Sequence, residues 1–223
     1  MDLGISGKHA AVAASSSGLG LGTARALAAE GVRVAMCGRD EARLREAVGA
    51  ITDAGGDAIA IPADVSTIAG ATGFVTAAIE RLGSVDILVA NAGGPPPGTF
   101  SSTDMDAYGP ALELTLLSSV AMCRAAVPAM QERRWGRVVV ITSVSVRQPI
   151  PSIILSNTAR AGLTGFLKTL ALEVAADGVT VNSAQPGSHA TDRLLAMQVA
   201  TCPRWPRALR WAKSGGPRTS ARS

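Results

Sequence analysis

The string Ala14-Ser15-Ser16-Ser17-Gly18-Leu19-Gly20 has the residue types that cradle a phosphate. It follows a short apolar run and opens a helical pattern. A helix N-terminus offers unpaired N–H groups and a positive dipole end, so a pyrophosphate fits there. The glycines let backbone come close to an anion, and the serines add hydroxyl donors. The general GxGxxG spacing fails at its third position, which is Thr23. A strand-to-helix turn of small residues, used only for packing, meets the same description. The local string leaves both readings open. Cys37, Cys123 and Cys202 lack metal-ligand or CxxC spacing, and their odd number argues against a disulfide framework. They read as reduced thiols of a cytoplasmic protein.

The surrounding pattern alternates strand and helix. His9 to Ala14 reads as a strand, Gly18 to Glu30 as a helix closed by Gly31, and Val32 to Cys37 as a second strand. Asp40 can cap a helix carrying Leu44, Ala47, Val48 and Ile51. Further strands are expected at Ala58–Ile61, Val85–Ala90, Arg137–Thr142 and Val179–Asn182. Helices are expected at Ser66–Leu82, Thr103–Arg133 and Ile153–Ala176. Pro110 should fall near the start of the second of these, and Pro128 should disturb its last turns. This alternation predicts a doubly wound parallel α/β sheet with right-handed crossovers.

Composition agrees. The 223 residues suffice for one sizeable core, and 47% are hydrophobic but only 3% aromatic. Ala, Val, Leu and Gly dominate, which suits buried parallel strands under close-packed helices. No apolar run approaches the ~18–20 residues of a membrane span, and Met1–Ala10 lacks a signal-peptide core. The net charge of +4 comes from Ala200–Ser223, which holds six basic residues and no acid. The body keeps 15 basic against 17 acidic residues, so nucleic acid is not an expected partner. Residues 1–199 are therefore expected to form one α/β domain, and 200–223 a basic, poorly ordered tail.

Four motifs, in order and each after the appropriate strand, carry a resemblance. Val12 through Gly20 resembles the TGxxxGxG turn of short-chain dehydrogenases/reductases, with Ala13 and Ala14 where Thr and Gly usually stand. Asp64-Val65 follows the third strand, as that family's adenine-contacting Asp does. Asn91-Ala92-Gly93 matches its NAG motif. Asn182 to Gly187 resembles its Pro-Gly motif, with Pro186 and Gly187 near the nicotinamide. The resemblance covers roughly residues 5 to 195 and is strongest to the 3-oxoacyl-carrier-protein reductase-like branch. It implies a Rossmann fold binding NAD or NADP. An acid after the second strand usually holds the ribose diol and favours NAD. Here Gly38 takes that place and Arg39 follows. An Arg can pair with a 2′-phosphate, so NADP is expected, with NAD possible.

The resemblance also implies a catalytic Ser, a proton-donating Tyr, a Lys four residues beyond it, and an Asn supporting a water relay. Ser143 fits the Ser. The Tyr position falls on Ser156 and the Lys position on Arg160, a register set by Gly165-Phe166; the Asn position falls on Thr115. The single tyrosine, Tyr108, has Leu112 four residues later, so no YxxxK exists. Arg160 can still hydrogen-bond a ribose and supply charge. Ser156 is far less acidic than a phenol (pKa ~10). His189 is an alternative acid or an ordinary loop histidine. Arg147 and Gln148 could touch an anionic substrate or be plain loop residues.

Family members usually continue through a lid helix, another helix and a seventh strand. His189–Val199 could supply the lid. The expected sheet has six strands, the usual C-terminal strand being missing, and the tail composition would fit a truncated or frame-shifted copy. A homodimer built on the two long helices is the expected assembly. Two functions follow: an NADP-dependent oxidoreductase acting on a small carbonyl or alcohol, or a dinucleotide-binding paralogue with little turnover.

Overall fold

The computed structural model describes residues 2–187 and His189. Two compact units divide the chain, Met1–Gly187 and Ser188–Ser223. The sequence expectation put the division at 199/200. The lid helix and basic tail expected beyond residue 189 lie outside the described residues. His189 itself is exposed.

The first unit is a six-stranded parallel sheet in the order β3-β2-β1-β4-β5-β6. Its strands are β1 (His9–Val12), β2 (Arg33–Gly38), β3 (Asp57–Pro62), β4 (Ile87–Ala90), β5 (Gly136–Ile141) and β6 (Val179–Ala184). The helices are α1 (Gly18–Ala29), α2 (Glu41–Thr52), α3 (Ile68–Leu82), α4 (Tyr108–Leu112), α5 (Ser118–Glu132) and α6 (Ile154–Val174).

Alternating side chains send the central strands into two separate cores. Ala11, Ala35, Cys37, Leu88, Ala90, Val138 and Val140 face α3, α5 and α6. Ala10, Val12, Val34, Met36, Ile87 and Val89 face α1 and α2. A strand buried on both faces must be apolar throughout, which explains the unbroken runs in β2 and β4. On β6 the pattern changes, and Thr180, Asn182 and Ala184 are exposed. Among the described residues β6 is an edge of the sheet.

Caps behave as their residue types dictate. Asp40 accepts from the Arg43 amide, and Thr67 accepts from the Gly70 amide. Gly83 closes α3 in the left-handed conformation, at φ 86°.

The long helix expected at Thr103–Arg133 is corrected. Phe100–Ser102 and Met105–Ala107 are 3₁₀ turns, and α-helix begins only at Tyr108. Pro110 sits in that first turn, where its missing N–H costs little. Residues Glu113–Leu117 then form a π turn before α5. Pro128 does not break the helix, which runs on to Glu132. Its neighbours Ala126, Val127 and Met130 are all buried, and their packing offsets the lost hydrogen bond.

The run Met105–Glu132 is long and apolar enough to cross a membrane, with mean hydropathy 1.3. The sequence reading saw no such run. Half of the apolar window is buried against the rest of the protein, as in the core helix of a globular fold.

At the end of the sheet where strands begin, the Trp135 ring meets two cations. Lys8 Nζ and Arg137 Cζ are each 4.4 Å from its ring centroid. Asp86 there accepts from the His9 amide at 3.0 Å and pairs with Arg133 at 3.4 Å.

Candidate active site

Because all strands are parallel, every loop that follows a strand emerges at the same end of the sheet. The turns after β1 and β4 flank the point where the strand order reverses, which is where open α/β sheets form a ligand crevice. The Gly-rich turn and Asn91-Ala92-Gly93 thus stand side by side, and the Ala13 amide donates to Val89 O at 3.0 Å.

The Gly-rich turn is wound tightly. Ala14 has φ 47°, in the left-handed region that favours glycine. Gly18 is also left-handed, at φ 57°. A Cβ on Gly20 would lie 2.3 Å from the Ala14 carbonyl oxygen, so only glycine fits there. Ser17 occupies the N-cap position of α1 but uses no side-chain bond to cap it. Ser16 and Ser17 are half-buried, Gly18 is exposed, and Leu19 packs against the α1 core.

Ser15 differs from its neighbours. It is fully buried; its hydroxyl donates to Val12 O at 2.8 Å and accepts from the Cys37 amide at 3.0 Å. The expectation that this hydroxyl serves a phosphate is therefore replaced by a structural role between β1 and β2.

Gly38 ends β2, and a Cβ there would come within 2.8 Å of Ser16 Oγ. Arg39 and Asp64 are both exposed. The Ser66 hydroxyl and amide hold the Asp64 carboxyl below the usual carboxylate range, and the Arg39 charge adds to this. Val65 is buried beneath.

The turn after β5 carries Ser143, whose hydroxyl accepts from the Ser145 amide at 3.1 Å. The end of β6 is fastened beside it. Thr142 Oγ1 and Ser183 Oγ are 2.7 Å apart, and the Val144 amide donates to Pro186 O at 3.0 Å. Pro186 and Gly187 are thus brought next to Ser143. Arg147 Nε donates to Gln185 Oε1 at 3.3 Å, so Arg147 also braces this loop. Gln148 is exposed.

Helix α6 packs on that turn and carries Ser156 and Arg160. Arg160 Nε donates to the Ser156 hydroxyl at 3.1 Å. Its Nη1 donates to Ile141 O at 3.1 Å and Thr142 O at 3.0 Å. The guanidinium is thereby held at the carbonyl end of β5. Ser156 is buried and half-buried Arg160 lies one helical turn away.

Thr115 falls within the π turn, a feature that often marks functional sites. It is buried and its Oγ1 has no hydrogen-bond partner, while its carbonyl accepts from Ser119 Oγ at 3.0 Å. Ser145 Oγ is likewise buried without a partner. Tyr108 begins α4, at the far end of the π turn's run. Among the described residues no cluster of three metal-ligating side chains occurs.

Residues 8–198 match the family model for short chain dehydrogenase. The chain belongs to this family. A putative ketoacyl reductase of Streptomyces coelicolor is 35% identical over 180 residues, which is 80% of this chain and 69% of that protein. L-sorbose reductase from Gluconobacter frateurii, solved with NADPH and L-sorbose, superposes with a TM-score of 0.83 at 34% identity. That match covers 86% of this chain and 74% of the reductase. An actinorhodin polyketide ketoreductase with NADPH gives 0.82 at 33% identity, covering 90% and 77%. The chain spans about two thirds of the length of the curated relatives it matches, 69% and 66% for two ketoacyl reductases.

As a short chain dehydrogenase, the chain has the parallel sheet and strand order of a Rossmann fold. The expected fold class holds, as do the expected strands within a residue or two at most ends. Sequence reasoning missed three elements of the site: the Cys37 contacts, the Thr142–Ser183 bond, and the bridge pairing Gly98 with Ile153 ahead of α6. Each joins residues far apart in sequence, and no local pattern marks them.

Proposed function

We propose that the chain is an NADP-dependent oxidoreductase that reduces a small carbonyl or 3-oxoacyl substrate. The observation that carries this is the bond from Arg160 Nε to Ser156 Oγ. Because Ser156 accepts from Arg160, its own proton remains available to donate elsewhere. The fixed guanidinium charge behind it favours the oxyanion left by that donation, and Arg does not lose its proton in proteins. Ser143 is arranged the same way, accepting from the Ser145 amide with its O–H free to donate. Ser143 would hold the carbonyl oxygen, and Ser156, directly or through water, would supply the proton. The buried Thr115 hydroxyl could order such a water.

The nucleotide fits the opposite half of the crevice. NADPH, when bound there, would supply the hydride. Ser16, Ser17, Gly18, Leu19 and Gly20, with Ala14 shaping the turn, would take the pyrophosphate at the α1 N-terminus. Gly38 leaves room beside Ser16, and Arg39 would meet a 2′-phosphate where an acid would repel it. Asp64 and Val65 would border the adenine. Asn91, Ala92 and Gly93 would line the crevice floor, and Pro186 and Gly187 the nicotinamide end. Arg160 lies near enough to the β5 end to add charge to the ribose side. NADPH complexes among the similar structures support this cofactor.

The second reading, a nucleotide-binding paralogue with little turnover, draws on the absence of a phenol at position 156. A positioned general acid contributes ~10²–10⁴-fold, and an aliphatic hydroxyl supplies less. NADPH oxidation with a panel of small ketones and 3-oxoacyl thioesters, run beside NADPH titration, separates the two. Binding with turnover above the Ser156→Ala variant supports the enzyme; binding with no turnover on any substrate favours the paralogue.

A cytoplasmic setting suits Cys37 and Cys123, both buried free thiols. A homodimer is the proposed assembly. Leu117 on the π turn and Leu172 on α6 are exposed apolar residues that such an interface would cover. Light scattering at micromolar concentration should give twice the chain mass; a monomer or tetramer counts against it.

A further inference from the structure

Cys37 touches the Gly-rich turn at three points. Its Sγ accepts from the Ala14 amide at 3.3 Å. Its carbonyl accepts from the Ser15 amide at 2.8 Å, and its own amide donates to Ser15 Oγ. The turn needs this support because Ala14 is left-handed without being glycine, at φ 47°. A side chain in that region is strained and persists only where its surroundings over-determine it. The Ala14 carbonyl is also fixed, lying against Gly20 at the start of α1. Ala14 is thus held from both ends, by sulfur at its amide and by the helix at its carbonyl.

We propose that Cys37 is a positioning residue for the dinucleotide, clamping Ala14–Ser15 so that the amides of the following turn converge on the pyrophosphate. Cys37 also directly precedes Gly38 and Arg39. One residue therefore sets the phosphate turn on one side and the start of the 2′-phosphate end on the other. Loosening it should weaken nucleotide binding and shrink the preference for NADPH over NADH together. A cysteine that only fills core volume would change stability and leave both alone. Cys123 is the matched case, a buried thiol on α5 that makes no hydrogen bond to the turn.

The inference rests on the nucleotide reading above. NADPH and NADH affinities, measured by fluorescence titration without substrate, test both. A parent that binds neither nucleotide overturns both. Given a binding parent, Cys37→Ala should weaken NADPH about fivefold or more, as expected for loss of one hydrogen bond and relaxation of the turn, and should narrow the NADPH:NADH ratio. Cys123→Ala should leave both values within twofold. Cys37→Ser, which keeps an acceptor for the Ala14 amide, should recover most of the affinity. Adding Ala14→Gly to Cys37→Ala should also recover it, since glycine takes a positive φ without strain. Cys37→Val, which removes the acceptor but keeps the core filled, serves if Cys37→Ala does not fold. Cys37→Ala and Cys37→Val binding like Cys123→Ala, or a double variant no tighter than Cys37→Ala, overturns the proposal.

Discussion

The two halves of the crevice are held together differently. Around β1 and β2 the turn is fixed by backbone conformation and by one buried serine and one buried cysteine. Around β5 and α6 the loops are fastened by Thr142–Ser183 and Val144–Pro186, and one long side chain joins them to the helix. Arg160 reaches back to two strand-end carbonyls and to the Ser156 hydroxyl. The first half tolerates little, because a Cβ at Gly20 has nowhere to go. The second half is a side-chain network, in which the Arg160 guanidinium joins Ser156 Oγ to Ile141 O and Thr142 O. Backbone geometry constrains a turn residue by residue, while a side-chain network depends on the one group that donates to all its members.

The comparison is tested most sharply at the Ser156–Arg160 pair. Ser156→Tyr with Arg160→Lys should raise reductase turnover at least ~10-fold, the low side of a general-acid effect. Adding Ser143→Ala should remove most of that gain. A folded, NADPH-binding double variant no faster than the parent would mean that Ser156 and Arg160 do not occupy the proton-donor positions. His189→Ala in the parent then asks whether His189 is the acid.

A smaller effect concerns stability. Arg160→Leu leaves Ile141 O, Thr142 O and Ser156 without their donor, so it should cost about 1–3 kcal/mol. Thermal unfolding should fall by roughly 2–12 °C, at about 2–4 °C per kcal/mol for a unit of this size. No change in Tm would show that the network contributes nothing net to folding.

Smaller again is the cofactor preference. Arg39→Ala should reduce the NADPH:NADH affinity ratio by a few fold, about the worth of one exposed ion pair. Equal affinities in the parent would remove the case for Arg39.

The smallest difference is in thiol chemistry. Burial pushes both Cys37 and Cys123 up to about 12 from 9.0. Neither should be alkylated in the native protein at pH 8, as peptide mapping would show. A raised folded-state pKa gives stability that is present below the unfolded value and is lost as pH climbs. Alkaline destabilisation from these thiols should therefore set in above about 9 and grow toward about 12. Rapid labelling of Cys37 at pH 8 would mean that the turn opens.

Much of the fold was legible because its signals are local. Apolar runs of four to six residues, Asp40 as a cap and Gly83 after α3 report on their own surroundings. The breakup of Thr103–Arg133 was not legible. Helix propensity says nothing of a π turn, which depends on packing against α6. In the site, glycines and the order of motifs identified the nucleotide turn. The inward use of Ser15 escaped, since its partners Val12 and Cys37 meet it only in the folded sheet. Serines in such a string look alike until the strand beside them is known. The same holds for Arg160, expected to bond a ribose, whose bonds to Ile141 O and Thr142 O no local pattern marks.

The Trp135 cluster has a consequence for how this protein can change over evolutionary time. Lys8, Trp135 and Arg137 join the entry to β1 and the start of β5 at the end of the sheet opposite the crevice. Mutations that retune chemistry fall on loops at the other end, about four to six residues of strand away. Substitutions that far apart with no shared partners add almost independently in their effects on folding. Substitutions in the crevice loops can therefore accumulate at one end while selection for folding acts separately at the other. The Trp135 cluster secures the end of the sheet that those loops do not touch.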